Sequence, residues 1–264
     1  MKLSKLPLNM PPIIYEDKNI LVLNKPAGLT VHGDGKSDEK TLVDFLLEKY
    51  PELEHVGEPM KIEGKAGKIK LIPRPGIVHR LDKDTSGVII VAKNQETFTF
   101  LKQQFKDRKT EKVYYAYTYG WLKNDKGPIN MPIGRSAGDI RMWTTGKGAR
   151  GTIREAWTDF EVMKRIPEDK WEESRKNGST EEGTYTYVKL MPKTGRTHQL
   201  RVHMKYINHP IIGDPIYAPN RPLALGFNRL ALHAQTLTIS LPDGKTHTFE
   251  APFPEDFQNA LTVA

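Results

Sequence analysis

Cysteine is absent from all 264 residues, and its absence removes three kinds of chemistry at once: a disulfide framework, a thiolate metal centre and a cysteine nucleophile. A reducing compartment suits such a chain. Long apolar runs are missing as well. The leader from Met1 to Pro12 mixes lysine, proline and leucine without the continuous apolar stretch of a signal peptide. No later run approaches the roughly 20 residues needed to cross a bilayer. The expectation is a cytoplasmic protein with no membrane partner. Acidic residues are the minority charge: 40 Lys and Arg stand against 32 Asp and Glu, a formal net charge of +8 with a pI near 9.4. That balance favours a polyanion, since each phosphate neutralised releases condensed counterions. Nucleic acid is the leading candidate, although net charge alone says nothing about where the charge lies.

What is present is concentrated in residues 79 to 87, which read His79-Arg80-Leu81-Asp82-Lys83-Asp84-Thr85-Ser86-Gly87. One carboxylate, Asp82, is set among basic and hydroxyl neighbours, the setting in which an acid is kept ionised for chemistry. The β-branched run Val88-Ile89-Ile90-Val91 follows, bounded by Gly87 and Asn94, and reads as a buried strand. Asp82 is therefore expected on a loop braced by a rigid element. Other readings of the stretch fail. The spacing of Asp82, Asp84 and Gly87 resembles the start of a calcium loop, but its twelfth position is Lys93 where a bidentate glutamate is needed. A kinase catalytic loop would want a Gly-rich loop before it and Asp-Phe-Gly after it. A magnesium phosphotransferase would want a second acidic pair, and Gly213-Asp214-Pro215 offers one carboxylate.

The rest of the chain alternates between strand and helix signals. Ile20 to Lys25 reads as a strand ended by Pro26, with Gly28, Gly33 and Gly35 in the turn after it. Thr41 and Asp44 have capping-box spacing, and Leu42, Phe45 and Leu46 share a helical face before Pro51. Residues 57 to 76, with Gly57, Gly64, Gly67 and Gly76 among Lys61, Lys65, Lys68 and Lys70, suit a mobile basic loop or a hairpin. Asn94 is placed to cap a helix carrying Phe98, Leu101 and Phe105. Lys112 to Tyr119 alternates as a strand with Tyr114, Ala116 and Thr118 on one face and Tyr115 on the other. Residues 134 to 151, rich in Gly, Arg and Lys around Trp143, suggest a loop that grips RNA by charge and stacking, or a core Trp at a loop base.

Residues 164 to 183 resemble a solvated excursion between strands, and Thr184 to Leu190 is strand-like. After a turn at Thr194-Gly195-Arg196, a helix is predicted with Leu200, His203, Met204 and Ile207 on one face and His198, Arg201 and Lys205 on the other. Pro242-Asp243-Gly244 between two apolar runs signals a hairpin. The sum is an α+β (mixed α/β) protein: a largely antiparallel, mixed central sheet with flanking helices, in one domain with a core from about residue 15 to 253.

Five segments together resemble the RluA family of RNA pseudouridine synthases. They are His79-Arg80-Leu81-Asp82 through Gly87, Leu23-Asn24-Lys25-Pro26-Ala27-Gly28-Leu29, Lys112-Val113-Tyr114-Tyr115-Ala116, Gly195-Arg196-Thr197-His198-Gln199-Leu200-Arg201-Val202-His203, and Leu232-His233-Ala234. In order and spacing they span nearly the whole chain. The resemblance implies that a uridine within RNA is detached from its ribose at N1, rotated and rejoined through C5, with no cofactor and no metal. It makes Asp82 the catalytic aspartate, as nucleophile on ribose or base or as the base that generates a glycal. Arg201 is implied as the arginine that pairs with the aspartate, and Tyr114 as the tyrosine that stacks on the base and helps remove the C5 proton.

A stacked uridine is out of reach, so it must be extruded. The resemblance gives Arg80 the task of filling the gap, for which a planar cation is suited. Arg196 and His198 are candidate RNA contacts, with solvent exposure or helix-start hydrogen bonding as the competing reading. Leu81 and Val202 are expected to pack. Too few residues precede Tyr15 for the S4-type RNA-binding domain that some relatives carry, so affinity is expected from the catalytic domain itself, acting as a monomer on ribosomal RNA in preference to transfer RNA. A non-catalytic RNA-binding or chaperone protein on the same scaffold is the rival reading.

Overall fold

The computed structural model describes residues 10–33, 37, 39–63, 69–139, 141–167 and 183–262. Two compact units are formed, one from residues 1–110 with 238–251 and one from residues 111–237 with 252–264.

In the first unit β1 (Ile13–Glu16), β2 (Ile20–Lys25) and β5 (Ser86–Ala92) pair antiparallel in that order. All seven β5 residues are buried, as the unbroken apolar run demands. Helix α1 (Leu42–Lys49) starts where the capping box predicts: the Asp44 carboxylate accepts from the Thr41 backbone N–H and hydroxyl, both at 2.7 Å. Helix α2 (Gln95–Lys106) is capped by Asn94, whose Oδ1 accepts from the Thr97 N–H at 2.9 Å. Phe98 and Leu101 are buried beneath it, while Phe105 stacks on His79 with centroids 4.6 Å apart. Between these helices β3 (Met60–Glu63) and β4 (Ile69–Ile72) form a hairpin, so the hairpin reading of residues 57–76 holds. Gly64, Lys65, Gly67 and Lys68, like Gly35, lie outside the described residues.

The second unit carries β6 (Glu111–Tyr119), β7 (Lys126–Asn130), β11 (Trp157–Pro167) and β12 (Thr184–Pro192) in the antiparallel order β6-β12-β11-β7. Residues 168–182, most of the expected excursion, lie outside the described residues. A three-stranded antiparallel sheet of β8 (Ile133–Ser136), β9 (Trp143–Thr145) and β10 (Ala149–Arg154) occupies the stretch expected to be an RNA-gripping loop. Trp143 there packs against Ile133, Ala156, Val202 and Tyr217 and has the Arg135 guanidinium 5.1 Å over its ring. Local Gly and Arg content reads as loop, but cross-strand pairing overrides it. Helix α3 (Gln199–Tyr206) follows the Thr194–Arg196 turn. The Pro242-Asp243-Gly244 hairpin forms as expected, joining β13 (Leu232–Ser240) to β14 (Thr246–Glu250). Helix α4 (Glu255–Thr262) ends the described chain, with Phe257 in edge contact with Tyr117 and Phe227. The whole is α+β with antiparallel sheets, as the sequence pattern predicts.

Candidate active site

The loop that bears Asp82 is held from below by a buried lysine. Lys25, at the end of β2 and fully buried, donates from Nζ to three carbonyls: Pro26 at 2.9 Å, Leu29 at 2.8 Å and Lys83 at 2.9 Å. The Gly28 N–H donates to the same Lys83 carbonyl at 2.9 Å. A buried ammonium is tolerated only when its donors are satisfied, and here the satisfaction itself ties the residue after Asp82 to the β2 turn. On the other side of the motif the Ile90 N–H donates to His79 Nε2 at 3.0 Å, fastening the start of the loop to β5. Within it, the Thr85 N–H donates to the Asp82 carbonyl at 3.1 Å. Leu81 is buried, as expected of a packing residue, while Asp82 is half-buried and Arg80 is exposed. The carboxylate is thus set at a surface on a loop fixed from three directions.

In the second unit Tyr114 is half-buried on β6, opposite Leu190 of β12. Alternation sends Tyr115 and Tyr117 to the other face, where both stack on Tyr187 at 5.3 and 4.7 Å. These are the core tyrosines.

Both predicted faces of helix α3 are largely withdrawn from solvent: Gln199 through Met204 are all buried, Arg201 included, and Lys205 is exposed. His198 precedes the helix as its N-cap, in the left-handed region at φ +55, an uncommon state for a non-glycine residue. His203 is fully buried, with Nδ1 at 2.9 Å from Thr158 Oγ1 and Nε2 at 3.0 Å from the Met131 carbonyl. Its burial lowers its pKa.

Arg201 is gripped by a carboxylate that the sequence pattern treats only as an inadequate metal ligand. Its Nε donates to Asp214 Oδ2 at 2.7 Å and its Nη2 to Oδ1 at 2.8 Å. Asp214 Oδ1 also accepts the Ile216 and Tyr217 N–H groups, both at 2.9 Å. Gly213 makes this turn possible: its φ is +70, and a Cβ there would stand 2.1 Å from the Arg229 carbonyl oxygen. Tyr217 extends the network, with the Arg201 guanidinium 5.1 Å over its ring and its hydroxyl 3.0 Å from His198 Nδ1. That hydroxyl also accepts the Trp143 N–H at 3.0 Å.

Arg196 donates from Nε to the Glu155 carbonyl at 2.9 Å. Gln199 locks the turn: its Oε1 accepts from Thr194 Oγ1 and the Arg196 N–H, while its Nε2 donates to the Trp157 carbonyl and Thr158 Oγ1. The second unit therefore gathers Arg196, His198 and Arg201 around one buried polar network, and the first gathers Arg80 and Asp82 on one loop. Lys25, Gln199, Asp214 and Tyr217 were missed as supports. Lys25 and Gln199 stood within the family-like segments, but nothing local to Asp214 or Tyr217 marks them beyond the Gly213-Asp214-Pro215 turn.

Residues 19–206 match the family model described as RNA pseudouridylate synthase. The chain belongs to the RNA pseudouridylate synthase family. It is 40% identical to the ribosomal large subunit pseudouridine synthase D of Borreliella burgdorferi, over 95% of this chain and 68% of that protein. It is 37% identical to the RNA pseudouridine synthase YlyB of Bacillus subtilis, over 94% of this chain and 71% of that one. The solved structure of human RNA Pseudouridylate Synthase Domain Containing 1 matches with a TM-score of 0.68 at 25% identity, covering 94% of this chain and 86% of that one. As a pseudouridylate synthase the chain is an isomerase. Asp214 and Tyr217 fall beyond the residues matched by the family model.

Proposed function

We propose that this pseudouridylate synthase isomerises uridines in ribosomal RNA, with Asp82 as the catalytic carboxylate. The N1–C1′ bond of the uridine breaks, a C5–C1′ bond forms, and the proton leaving C5 is balanced by one gained at N1. The change is redox-neutral, which is why the proposal needs neither cofactor nor metal. The observation that carries it is the fixed, half-buried Asp82 loop clamped by Lys25, Gly28 and His79. A carboxylate held in this way pays little reorganisation when a nucleoside arrives.

The remaining roles follow from the chemistry of each side chain. The role proposed for Arg201 is that of the arginine partner of the reacting carboxylate, and the role proposed for Tyr114 is to stack on the extruded base. Arg80, exposed at the head of the loop, fills the space the uridine leaves. Arg196 and His198 contact RNA. Ribosomal RNA is favoured because the Borreliella relative is named for the large ribosomal subunit. In this reading the protein acts as a cytoplasmic monomer.

Asp82→Asn tests the reading against a non-catalytic RNA-binding protein. Pseudouridine is mapped chemically in total RNA from cells carrying the wild-type chain, the variant or neither. The variant is expected to lose one or more ribosomal RNA pseudouridines while the purified protein keeps its RNA affinity. Full modification by the variant overturns the role of Asp82, and modification confined to transfer RNA overturns the substrate.

A further inference from the structure

Among the described residues of the first unit four buried side-chain atoms have no hydrogen-bond partner: Nε2 of His32, Nε of Arg74, Oγ1 of Thr110 and Nε2 of His247, the last of which faces the Asp243 carboxylate at 3.6 Å. His32 is only 6% exposed, on the segment between β2 and α1, and Arg74 is half-buried just before the catalytic loop. Leaving a buried donor or acceptor unmet costs on the order of 1–3 kcal/mol, so such a pair calls for a reason. The His32 Nδ1 lies 3.0 Å from the Gly33 carbonyl, which makes Nδ1 the protonated nitrogen and leaves Nε2 with a lone pair. Arg74 offers only N–H donors. The unmet Nε2 lone pair of His32 and the unmet Nε–H of the Arg74 guanidinium suit ligand chemistry that combines a hydroxyl with an anion. The sugar-phosphate backbone of RNA is that combination, and its 2′-hydroxyl is absent from DNA.

We propose that His32 and Arg74 form a sugar-phosphate subsite, in which Arg74 takes a phosphodiester oxygen and the His32 Nε2 lone pair accepts a ribose 2′-hydroxyl. The subsite deepens the functional reading above and rests on it for the nature of the substrate. Supporting electrostatics come from the neighbourhood. His32 has its pKa lowered by burial first and then by the charges of Arg80 and Arg74, which keeps the ring neutral and the lone pair available. Arg74 is itself depressed by burial and by the charge of Arg80, a like-charge crowding that a bound phosphate would relieve. Both unmet atoms are closed to water in the free chain, so entry needs a side chain to move. Arg80 is the exposed member of the three.

The test is binding, which does not depend on turnover. The full chain is titrated with a single-stranded uridine dodecamer and with its 2′-deoxy counterpart at several salt concentrations. Wild type is expected to favour the ribose strand. His32→Phe is expected to reduce that preference roughly five- to tenfold, the value of one neutral hydrogen bond. Arg74→Gln is expected to make the slope of log K against log salt shallower by about 0.7, one phosphate contact on a single strand. Arg74→Lys should restore the slope, and melting curves identify any variant that has lost its fold. His32→Gln serves where His32→Phe fails to fold.

An unchanged ribose preference in the folded His32 variant, or an unchanged salt slope in Arg74→Gln, overturns the subsite. Inorganic phosphate at constant ionic strength supplies the other arm. Displacement of the dodecamer by millimolar phosphate would mean a free-phosphate site and overturn the backbone assignment; retention of the dodecamer supports it. Failure to find pseudouridine in ribosomal RNA would sink the substrate reading while leaving these binding results standing.

Discussion

Arg201 and Asp214 meet as a fork, Nε to Oδ2 at 2.7 Å and Nη2 to Oδ1 at 2.8 Å, with both side chains withdrawn from water. The geometry fixes the plane of the guanidinium, and Asp214 is fixed in turn by two backbone N–H groups. If Arg201 has the role proposed for it, Asp214 positions it. Asp214→Asn keeps the shape but leaves the arginine charge poorly compensated, and breaking such a buried pair costs about 3–5 kcal/mol. Chemical denaturation should show that loss, and single-turnover isomerisation should slow by at least about tenfold as Arg201 loses its orientation. A variant as stable and as fast as wild type would remove Asp214 from the design.

Much of this scaffold was legible because its signals are local. The Thr41–Asp44 capping box, the Asn94 cap, the unbroken apolar run of β5 and the Asp243-Gly244 turn each act within a few residues, and each formed where expected. Alternation along β6 places Tyr114 on the face opposite Tyr115 and Tyr117 for the same reason, although Tyr114, like Tyr115, packs half-buried against the core. The misreadings arose where long-range pairing decides. Glycine and arginine between residues 134 and 151 indicate a loop until β8, β9 and β10 pair. On helix α3 the pattern puts Arg201 opposite Leu200 and Met204 but does not report its burial, which Asp214, 13 residues away, makes possible. The support of the Asp82 loop by Lys25 spans 58 residues, and no periodicity reports such a contact.

Lys25→Met removes the ammonium that three carbonyls share. The Pro26 and Leu29 carbonyls would lose this donor and the Lys83 carbonyl would keep only the Gly28 N–H, at about 1–3 kcal/mol for each acceptor left unmet. Urea unfolding is expected to show a loss of at least about 2 kcal/mol. Isomerisation should fall further than stability alone explains, since the Lys83 carbonyl is the tether next to Asp82. Amide exchange at residues 82–85 separates the two effects: faster exchange there than in α2 supports the tether, and uniform acceleration argues for global loosening only.

The roles proposed for Arg80 and Tyr114 separate extrusion from chemistry. Arg80→Ala is expected to lower single-turnover isomerisation by about tenfold or more with only a few-fold weaker RNA binding, because an exposed arginine is one contact among many for affinity while the proposal gives it a specific part in holding the uridine out of the stack. Equal loss of both would make it an ordinary phosphate contact. Tyr114→Phe keeps the stacking ring and deletes the hydroxyl. A slowed chemical step with unchanged RNA affinity assigns the phenol to proton transfer, and an unaltered single-turnover rate removes it.

Lys112, at the start of β6, yields a pH prediction with a definite sign. Burial brings its pKa down from 10.5 to about 8, because removing an ammonium from water disfavours the charged form. Between about pH 8 and 10.5 the unfolded chain therefore holds more protons at this residue than the folded chain, and stability should rise with pH across that window. Below about pH 8 the residue is charged in both states and its desolvation penalty is fully felt, on the order of 3 kcal/mol for a shift of this size. Lys112→Met removes the penalty. It should stabilise the protein at pH 7, by less at pH 9 and not at all above about pH 10.5, as read from urea midpoints of the two proteins side by side. A gain that is the same at every pH would mean that methionine merely packs better, and that the lysine charge carries no cost where it sits.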